Sequence, residues 1–349
     1  MWLKRVSTVI MVSLLGLVSS CGQPPTETKT PVIKIVGAGA TFPYPLYKVW
    51  LQDFNQAHKE VEISYDSVGS GEGIKRFLKQ EVDFGASDAA MTDEEMGRVE
   101  RQVKLIPATA GLVVLAYNLK GVNGVLKLPR AVYVAIFTGD IKKWDDPRIK
   151  QANPDLNLPS LNIIPVVRAE GSGTTFAFTN HLSAISKEWR DLGPGVGKIV
   201  RWPAHAMLAR WNEGIAGRVK LTEGAIGYVE LGYAQRAQLA MAALENKAGK
   251  FITPTPAAGQ ATLIATQNDM PANLRMFFPD PPGEDSYPIV TYSWILLYGS
   301  YPDQKKAKGL KDFITWGITD GQKYADKLGY VSLPPHIREI GVKAVETIQ

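Results

Sequence analysis

Short β-branched runs alternate with amphipathic segments along this chain from Val32 onward. Such alternation predicts strands that pair in a largely parallel sheet and helices that cover it. The fold class is therefore α/β, with a mixed, mostly parallel sheet flanked by helices. The predicted strands include VIKIVG, VEISYDSV, VDFGAS, LVVLAYN, NIIPVVRAE and YPIVTYSWILLYGS, and the predicted helices include YPLYKVWLQDFNQAH, GIKRFLKQ, AVYVAIFTGD, KGLKDFITWGITDGQKYADKLGY and PPHIREIGVKAVETI.

The order of these segments predicts two lobes. The stretch from Gly193 to about Pro288 is richer in glycine and proline, and it contains EGAIGYVELGYA, which is typical of a strand that passes directly into a helix. A sheet that is interrupted by a long insertion and completed near the C-terminus indicates two lobes joined by two crossing strands, which can hinge over a ligand. We predict that residues 32–113 and 290–349 form lobe I and that residues 114–289 form lobe II.

The N-terminal segment differs from the rest of the chain. Lys4 and Arg5 precede an uncharged apolar run from Val6 to Val18. This run is too short to span a bilayer comfortably, and no charged flank follows it. Residues 1–20 are therefore predicted to be a signal peptide that is removed on export.

A lone cysteine, Cys21, follows this run. The sequence LVSSC, which ends at Cys21, looks like the lipobox of bacterial lipoproteins, and an ordinary signal peptide with an incidental cysteine is the alternative. Lipidation is favoured because no second cysteine can pair with Cys21 and because GQPPTETKTP is a polar segment typical of a tether. We expect residues 21–31 to be the lipidated cysteine and its tether, which would hold the protein in the periplasm or at the outer face of the cell membrane by its lipid alone.

The net charge of the chain is weakly positive. Its 39 basic and 34 acidic residues give +5, and loss of Lys4 and Arg5 with the signal peptide lowers this to +3. Lysine and arginine are not clustered in long runs or interleaved with aromatic residues, so nucleic acid is not an expected partner. A slight positive field suits the capture of a small anion.

Three glycine-rich turns each join a predicted strand to a predicted helix. A helix N-terminus leaves backbone N–H groups without partners, and its dipole favours negative charge. Three such ends that converge on one cleft would hold an anion without a metal or a cofactor, whereas glycine that serves only tight packing at each junction is the alternative. The turns are GAGATFPYP, which contains Thr41, VGSGEGI, which contains Ser70, and RAEGSGTTF, which contains Ser172.

A carboxylate, Asp88, ends the predicted strand in DFGASD. Asp88 either caps the helix that follows or faces the anion donors. In the second case the ligand must bring a proton, because an ionised carboxylate only accepts hydrogen bonds. Phosphate carries such a proton at neutral pH and sulfate does not, so Asp88 would separate the two oxyanions.

Taken together, GAGATFPYPLY, DFGASDAAM, RAEGSGTTFAF and GAIGYVE resemble the phosphate-binding protein of the bacterial phosphate ABC importer, the PstS family. The likeness extends through nearly the whole mature chain, and it implies a two-lobed type II periplasmic-binding-protein fold with one phosphate in the cleft. Asp88 would accept the phosphate proton, Arg168 would pair with the ligand charge, and Glu170 would orient Arg168. The resemblance implies phosphate contacts from Thr41, Phe42, Ser70, Asp88, Arg168, Ser172, Gly173 and Thr174, with Gly39 and Ala40 shaping the first turn.

Three positions depart from the pattern of the family. Glu170 stands where the family often has aspartate, and Gly71 replaces a common second serine. The segment AHAMLARWNEG, residues 204–214, occupies a region that is usually richer in glycine. The resemblance therefore supports no ligand contact from residues 204–214.

The resemblance further implies a monomer that delivers inorganic phosphate to the transmembrane permease subunits of an ABC importer. A secreted serine hydrolase or phosphatase is one alternative, but Ser70 and Ser172 lack the glycine that precedes the serine of a nucleophile elbow by two residues. The histidines lack the spacing of a metal site, and neither the dinucleotide nor the Walker phosphate motif is present. A surface adhesion lipoprotein is the other alternative. We expect a binding protein without enzymatic activity, metal or cofactor.

Overall fold

The computed structural model describes residues 32–349. The predicted signal peptide of residues 1–20, Cys21 and the tether of residues 21–31 lie outside the described residues. Within residues 32–349, no helix is both long enough and apolar enough to cross a membrane.

The elements alternate along the chain as the hydrophobic pattern predicts. The strands are β1 (Ile33–Gly39), β2 (Val61–Ser67), β3 (Phe84–Ser87), β4 (Val103–Tyr117), β5 (Lys127–Leu128), β6 (Ile164–Arg168), β7 (Met207–Ala209), β8 (Ala225–Glu230), β9 (Ala240–Met241), β10 (Ala243–Glu245), β11 (Phe251–Ile252), β12 (Val290–Tyr298) and β13 (Tyr330–Val331). The helices are α1 (Tyr44–Ala57), α2 (Ser70–Leu78), α3 (Asp93–Gly97), α4 (Arg130–Thr138), α5 (Pro147–Ala152), α6 (Gly173–Ile185), α7 (Lys187–Asp191), α8 (Trp211–Leu221), α9 (Leu231–Arg236), α10 (Pro256–Ala265), α11 (Gln304–Ile318) and α12 (Pro335–Glu346).

One mixed sheet organises most of these elements, in the order β2-β1-β3-β12-β4-β8-β6-β7, and β9 and β13 also pair with β4. Strand β1 runs parallel to β2 and β3, and β6 runs parallel to β7 and β8. Strand β12 is antiparallel to both of its neighbours, as β4 is to β8. A smaller sheet pairs β11, β10 and β5. The predicted α/β class with a mixed sheet is confirmed, but the sheet is not mostly parallel, because β4 and β12 run antiparallel to every strand that they pair with.

Strand β4 links the two halves of the main sheet. It pairs with β12 over Val103–Leu112 and with β8 over Val113–Tyr117. Ile289, which directly precedes β12, lies beside the point where β4 changes its partner, because Val113 N–H donates to the Ile289 carbonyl at 2.9 Å. On this pairing we propose the lobe boundaries that the sequence predicts, with residues 32–113 and 290–349 in lobe I and residues 114–289 in lobe II.

Two predicted boundaries are wrong. Strand β4 begins at Val103 rather than Leu112. Pro107 lies within the added part and argues against a central strand. A β-bulge beside Pro107 relieves the pairing there, so the strand continues through it. The helix predicted through Tyr330 ends at Ile318, and short 3-10 helices follow it. Its course changes because Gly321 packs against Trp50, whose indole N–H donates to the Gly321 carbonyl at 2.9 Å.

Candidate anion-binding site

The N-termini of α2 and α6 contact each other. The Gly71 N–H donates to the Gly171 carbonyl at 2.9 Å. A Cβ atom at Gly173 would lie 2.7 Å from Ser70 Oγ and 2.6 Å from the Asp88 Cβ, so only glycine allows this approach. The first glycine-rich turn, GAGATFPYP, also needs glycine. Gly39 has φ +150°, and backbone atoms of β3 occupy the position that its Cβ would take. Glycine therefore brings strand ends and helix ends into direct contact.

Several backbone donors at these turns have no acceptor within residues 32–349. They are the N–H groups of Phe42, Ser70, Gly173 and Thr174. The Ser172 N–H differs, because it donates to the Lys198 carbonyl at 2.9 Å, while the Ser172 hydroxyl caps α6 by accepting from Thr175 N–H at 3.1 Å. Unsatisfied buried N–H groups at helix N-termini are the donors that bind anions in proteins.

Hydroxyl side chains surround these donors. Thr41, Ser70, Ser172 and Thr174 are each at most 3% exposed. Ala40 holds the first turn through its N–H, which donates to the Ala86 carbonyl at 2.9 Å. The predicted hydroxyl residues are thus buried at the same place as the backbone donors.

Arg168 ends β6 and is 5% exposed. Its Nε donates to Glu170 Oε1 at 2.8 Å, its Nη2 contacts the same oxygen, and its Nη1 donates to Thr174 Oγ1 at 3.3 Å. Trp211 N–H also donates to Glu170 Oε1, at 3.0 Å, and Glu170 Oε2 is buried without a partner in the described part of the chain. Glu170, which is longer than the aspartate common in the family, thus binds the Arg168 guanidinium through one oxygen. Further N–H groups of Arg168 remain for a ligand.

The Asp88 carboxyl lies among these donors and is 1% exposed. The alternative that Asp88 caps the next helix is wrong, because α3 is capped by Thr92, whose hydroxyl accepts from Glu95 N–H at 3.1 Å. Asp88 Oδ1 instead accepts from Ser293 Oγ at 2.8 Å, and Asp88 N–H donates to Ser70 Oγ at 3.2 Å. A buried carboxyl thus faces a set of hydrogen-bond donors.

Burial raises the pKa of Asp88 to about 7, although the Ser293 hydrogen bond, the charge of Arg168 and hydrogen bonds from Ser70 and Thr174 lower it. The neighbouring Glu230 has its pKa raised to about 8, also by burial. Asp88 therefore changes between donor and acceptor in the neutral pH range, because a protonated carboxyl can donate one hydrogen bond.

Sequence reasoning missed two polar side chains at this site. Asn212 is fully buried, and its side chain donates to Thr41 Oγ1 at 2.9 Å and Thr174 Oγ1 at 3.4 Å. It lies in the segment of residues 204–214 for which the resemblance supported no ligand contact. Ser293 lies on β12, where it looks like any small residue of a buried strand. The only signal for Asn212 in the sequence was its place, as a polar residue, at the start of a helix.

The buried histidine on α6, His181, serves packing. Its Nδ1 lies 2.7 Å from the Pro279 carbonyl, so Nδ1 donates there and Nε2 accepts from the Tyr133 hydroxyl at 2.7 Å. Burial lowers the pKa of His181 to about 4. Across residues 32–349, no cluster of three or more His, Cys, Asp or Glu side chains could hold a metal ion.

A mixed sheet whose two halves share one long strand, with buried anion donors where the halves meet, defines the class of this protein. It has the two-lobed type II periplasmic-binding-protein fold. A family model described as a PBP superfamily domain matches residues 24–320. The chain belongs to the PstS family of phosphate-binding proteins within that superfamily.

The similarity to members of this family extends over nearly the full length. The phosphate-binding protein PstS of Methanocaldococcus jannaschii is 37% identical, and the match covers 98% of this chain and 93% of that protein. PstS of Pasteurella multocida is 38% identical over 93% of this chain and 92% of its own.

Solved structures share the fold. A high-affinity periplasmic phosphate-binding protein, PfluDING, bound with phosphate has a TM-score of 0.73 at 21% identity, with 88% of this chain and 92% of that chain covered. A phosphate-binding protein from Stenotrophomonas maltophilia has a TM-score of 0.70 at 20% identity, with 89% and 94% covered.

Proposed function

We propose that this protein binds one inorganic phosphate ion between its two lobes and delivers it to the membrane permease of a phosphate ABC importer. The observation that carries the proposal is the buried Asp88 carboxyl, which lies beside hydroxyls and beside N–H groups that have no acceptor within residues 32–349. Donors alone would bind any oxyanion. An acceptor among them selects an oxyanion that still carries a proton.

The donors supply the ligand contacts in this proposal. Phosphate oxygens accept from the backbone at Phe42, Ser70, Gly173 and Thr174, and from the Thr41, Ser70, Ser172 and Thr174 hydroxyls. Arg168, held by Glu170, balances the ligand charge through a planar fork of N–H groups. The absence of an acceptor for these backbone N–H groups within residues 32–349 supports this assignment.

Asp88 gives the selectivity. An ionised Asp88 accepts the proton of monohydrogen phosphate, whereas sulfate would place an unprotonated oxygen against the carboxylate. A buried group left without a partner costs about 1 to 3 kcal/mol, and more when both groups are charged. Sulfate is therefore excluded at a pH above the pKa of Asp88, which lies at about 7.

Closure of the lobes couples binding to delivery. Two ion pairs join segments of opposite proposed lobes, with Lys198 Nζ 2.6 Å from Glu95 Oε1 and Arg275 Nη1 2.8 Å from Asp93 Oδ1. Phosphate reaches donors of both lobes only when the lobes meet, so it stabilises the closed form. The permease recognises this closed form.

The cellular setting belongs to the same proposal. The protein is exported, anchored through lipid at Cys21 and monomeric, and it carries phosphate without transforming it. Its relatives are named as phosphate-binding proteins, which supports a binding function rather than catalysis.

The ligand is tested by calorimetric titration of the protein with phosphate, after bound ligand is removed by unfolding and refolding. We expect binding of one phosphate per chain. A folded protein that gives no heat with phosphate at any concentration up to millimolar would refute the proposal and favour the adhesion alternative.

Sulfate binding is expected to depend on pH. The pKa of Asp88 is raised to about 7, so the carboxyl is ionised above that pH and protonated below it. Protonated Asp88 donates a hydrogen bond to a sulfate oxygen, and sulfate does not itself titrate in this range. The apparent sulfate affinity should therefore rise about tenfold between about pH 8 and about pH 6, in proportion to the protonated fraction of Asp88.

Calorimetric sulfate titrations at both pH values measure this change. The Asp88→Asn variant is the control, because any pH dependence that it retains comes from Glu230 or other groups. A sulfate affinity that stays constant in the wild-type protein would show that Asp88 does not face the ligand.

A further inference from the structure

Asn212 lies at the start of α8, where it touches both proposed lobes. Its side chain donates to Thr41 Oγ1 of lobe I at 2.9 Å and to Thr174 Oγ1 of lobe II at 3.4 Å. The residue before it, Trp211, has φ 65°, a backbone conformation that a bulky residue adopts at a cost. This conformation aims two successive backbone N–H groups at the site, from Trp211 to Glu170 and from Asn212 to Thr41.

The orientation of the Asn212 amide is fixed by its third partner. The Glu230 backbone N–H lies 3.0 Å from Asn212 Oδ1, and a backbone N–H can only donate. The amide oxygen therefore faces Glu230, and the amide nitrogen faces Thr41 and Thr174. The two protons of that nitrogen match the two hydroxyl oxygens.

These bonds occupy the acceptor capacity of both threonine hydroxyls. Thr41 Oγ1 accepts from the Asn212 side chain and from the Asn212 backbone N–H, at 3.3 Å. Thr174 Oγ1 accepts from the Asn212 side chain and from Arg168 Nη1, at 3.3 Å. A hydroxyl has one proton and two lone pairs, so each threonine is left only with a proton to donate.

We propose that Asn212 is a positioning residue that sets the direction of the hydroxyl protons of Thr41 and Thr174, so that both act only as donors toward the anion. The inference rests on the proposed phosphate function and adds a specificity element to it. Without Asn212, each hydroxyl could rotate and accept a proton from the ligand. With Asn212 in place, Asp88 is the acceptor that the ligand proton meets.

The test is a double-mutant cycle on phosphate affinity. Asn212→Leu is measured by calorimetry in the wild-type protein and in a protein that carries Thr41→Ala and Thr174→Ala. We expect a loss of roughly 10- to 100-fold in phosphate affinity in the wild-type background, because two donors to a charged ligand lose their orientation. In the double-alanine background we expect a loss of less than about threefold, because no hydroxyl remains to orient.

A purely structural role would give a different pattern. Loss of the Glu230 hydrogen bond or loosening of α8 would weaken phosphate binding by the same factor in both backgrounds, and that result would overturn the inference, as would an unchanged affinity. Asn118→Leu is the matched control, because the Asn118 side chain donates to the Val219 and Lys220 carbonyls at the other end of α8. It should leave phosphate affinity unchanged.

A second variant keeps the test valid if Asn212→Leu does not fold. Asn212→Asp has the same shape, keeps an acceptor for the Glu230 N–H and removes both side-chain donors. Its added charge repels phosphate equally in both backgrounds, so the difference between the backgrounds still reports the threonine hydroxyls. Wild-type protein that fails to bind phosphate would instead refute the proposed function.

Discussion

The Asp88→Asn variant is expected to bind sulfate roughly 10- to 100-fold more tightly than the wild-type protein does at about pH 8. The amide nitrogen can donate to a sulfate oxygen at the position where the buried carboxylate only accepts. The Asn amide also accepts from Ser293, as Asp88 Oδ1 does at 2.8 Å, so the local packing is retained. The ratio of the sulfate and phosphate dissociation constants, measured by calorimetry, reports this change.

Asp83→Asn is the matched control for this prediction. Asp83 precedes β3, the strand that Asp88 follows, but its carboxylate pairs with Lys306 at 2.9 Å, away from the anion donors. The control should leave the sulfate-to-phosphate ratio unchanged. If Asp88→Asn also leaves the ratio unchanged, the carboxyl has no part in selectivity.

The Gly173→Ala variant is expected to lose phosphate affinity by roughly 100-fold while it remains folded. Its Cβ would lie 2.6 Å from the Asp88 Cβ and 2.7 Å from the Asp88 backbone nitrogen. Main-chain atoms of Asp88 cannot yield to this contact, so the N-terminus of α6 must move away from lobe I. Calorimetry measures the affinity, and small-angle scattering with phosphate measures the closure.

Gly217→Ala on α8 provides the comparison, because a Cβ atom at Gly217 meets nothing within 4 Å. It should leave phosphate binding unchanged and raise helix stability by up to about 1 kcal/mol. Wild-type affinity in Gly173→Ala would mean that the lobes need not meet at this point for phosphate to bind.

The sequence was sufficient to nominate those residues of the candidate site that lie on contiguous motifs. A glycine turn and its hydroxyl are neighbours along the chain, so Ser70 and Ser172 could be named as candidates from the local pattern. Arg168, Glu170 and Thr174 belong to one such stretch. Whether they meet the other turns depends on the sheet order.

Other parts of the site depend on contacts between distant residues. Ser293 bonds to Asp88 across 205 positions of sequence, and Asn212 bonds to Thr41 across 171. The only sequence signal for Asn212 was its position at the start of a helix, and nothing near Ser293 in the sequence marks that residue as part of the site. The order of the strands in the sheet, rather than any local motif, brings them to the site.

The same reason explains the misplaced boundaries. The end of α11 is set by Gly321 against Trp50, a contact between residues far apart in the chain. Pro107 argues against a strand unless the bulge beside it is known. Local propensity was overridden by tertiary packing at both places.

The central claim is that Asp88 selects an oxyanion that carries a proton. The most direct measurement is calorimetric titration of the stripped wild-type protein with phosphate at about pH 8, once in excess sulfate and once in chloride of equal ionic strength. We predict the same phosphate dissociation constant and one phosphate per chain in both solutions. Weaker phosphate binding in proportion to the sulfate concentration would contradict the account, because the donors would then form a general anion site to which Asp88 gives no selectivity.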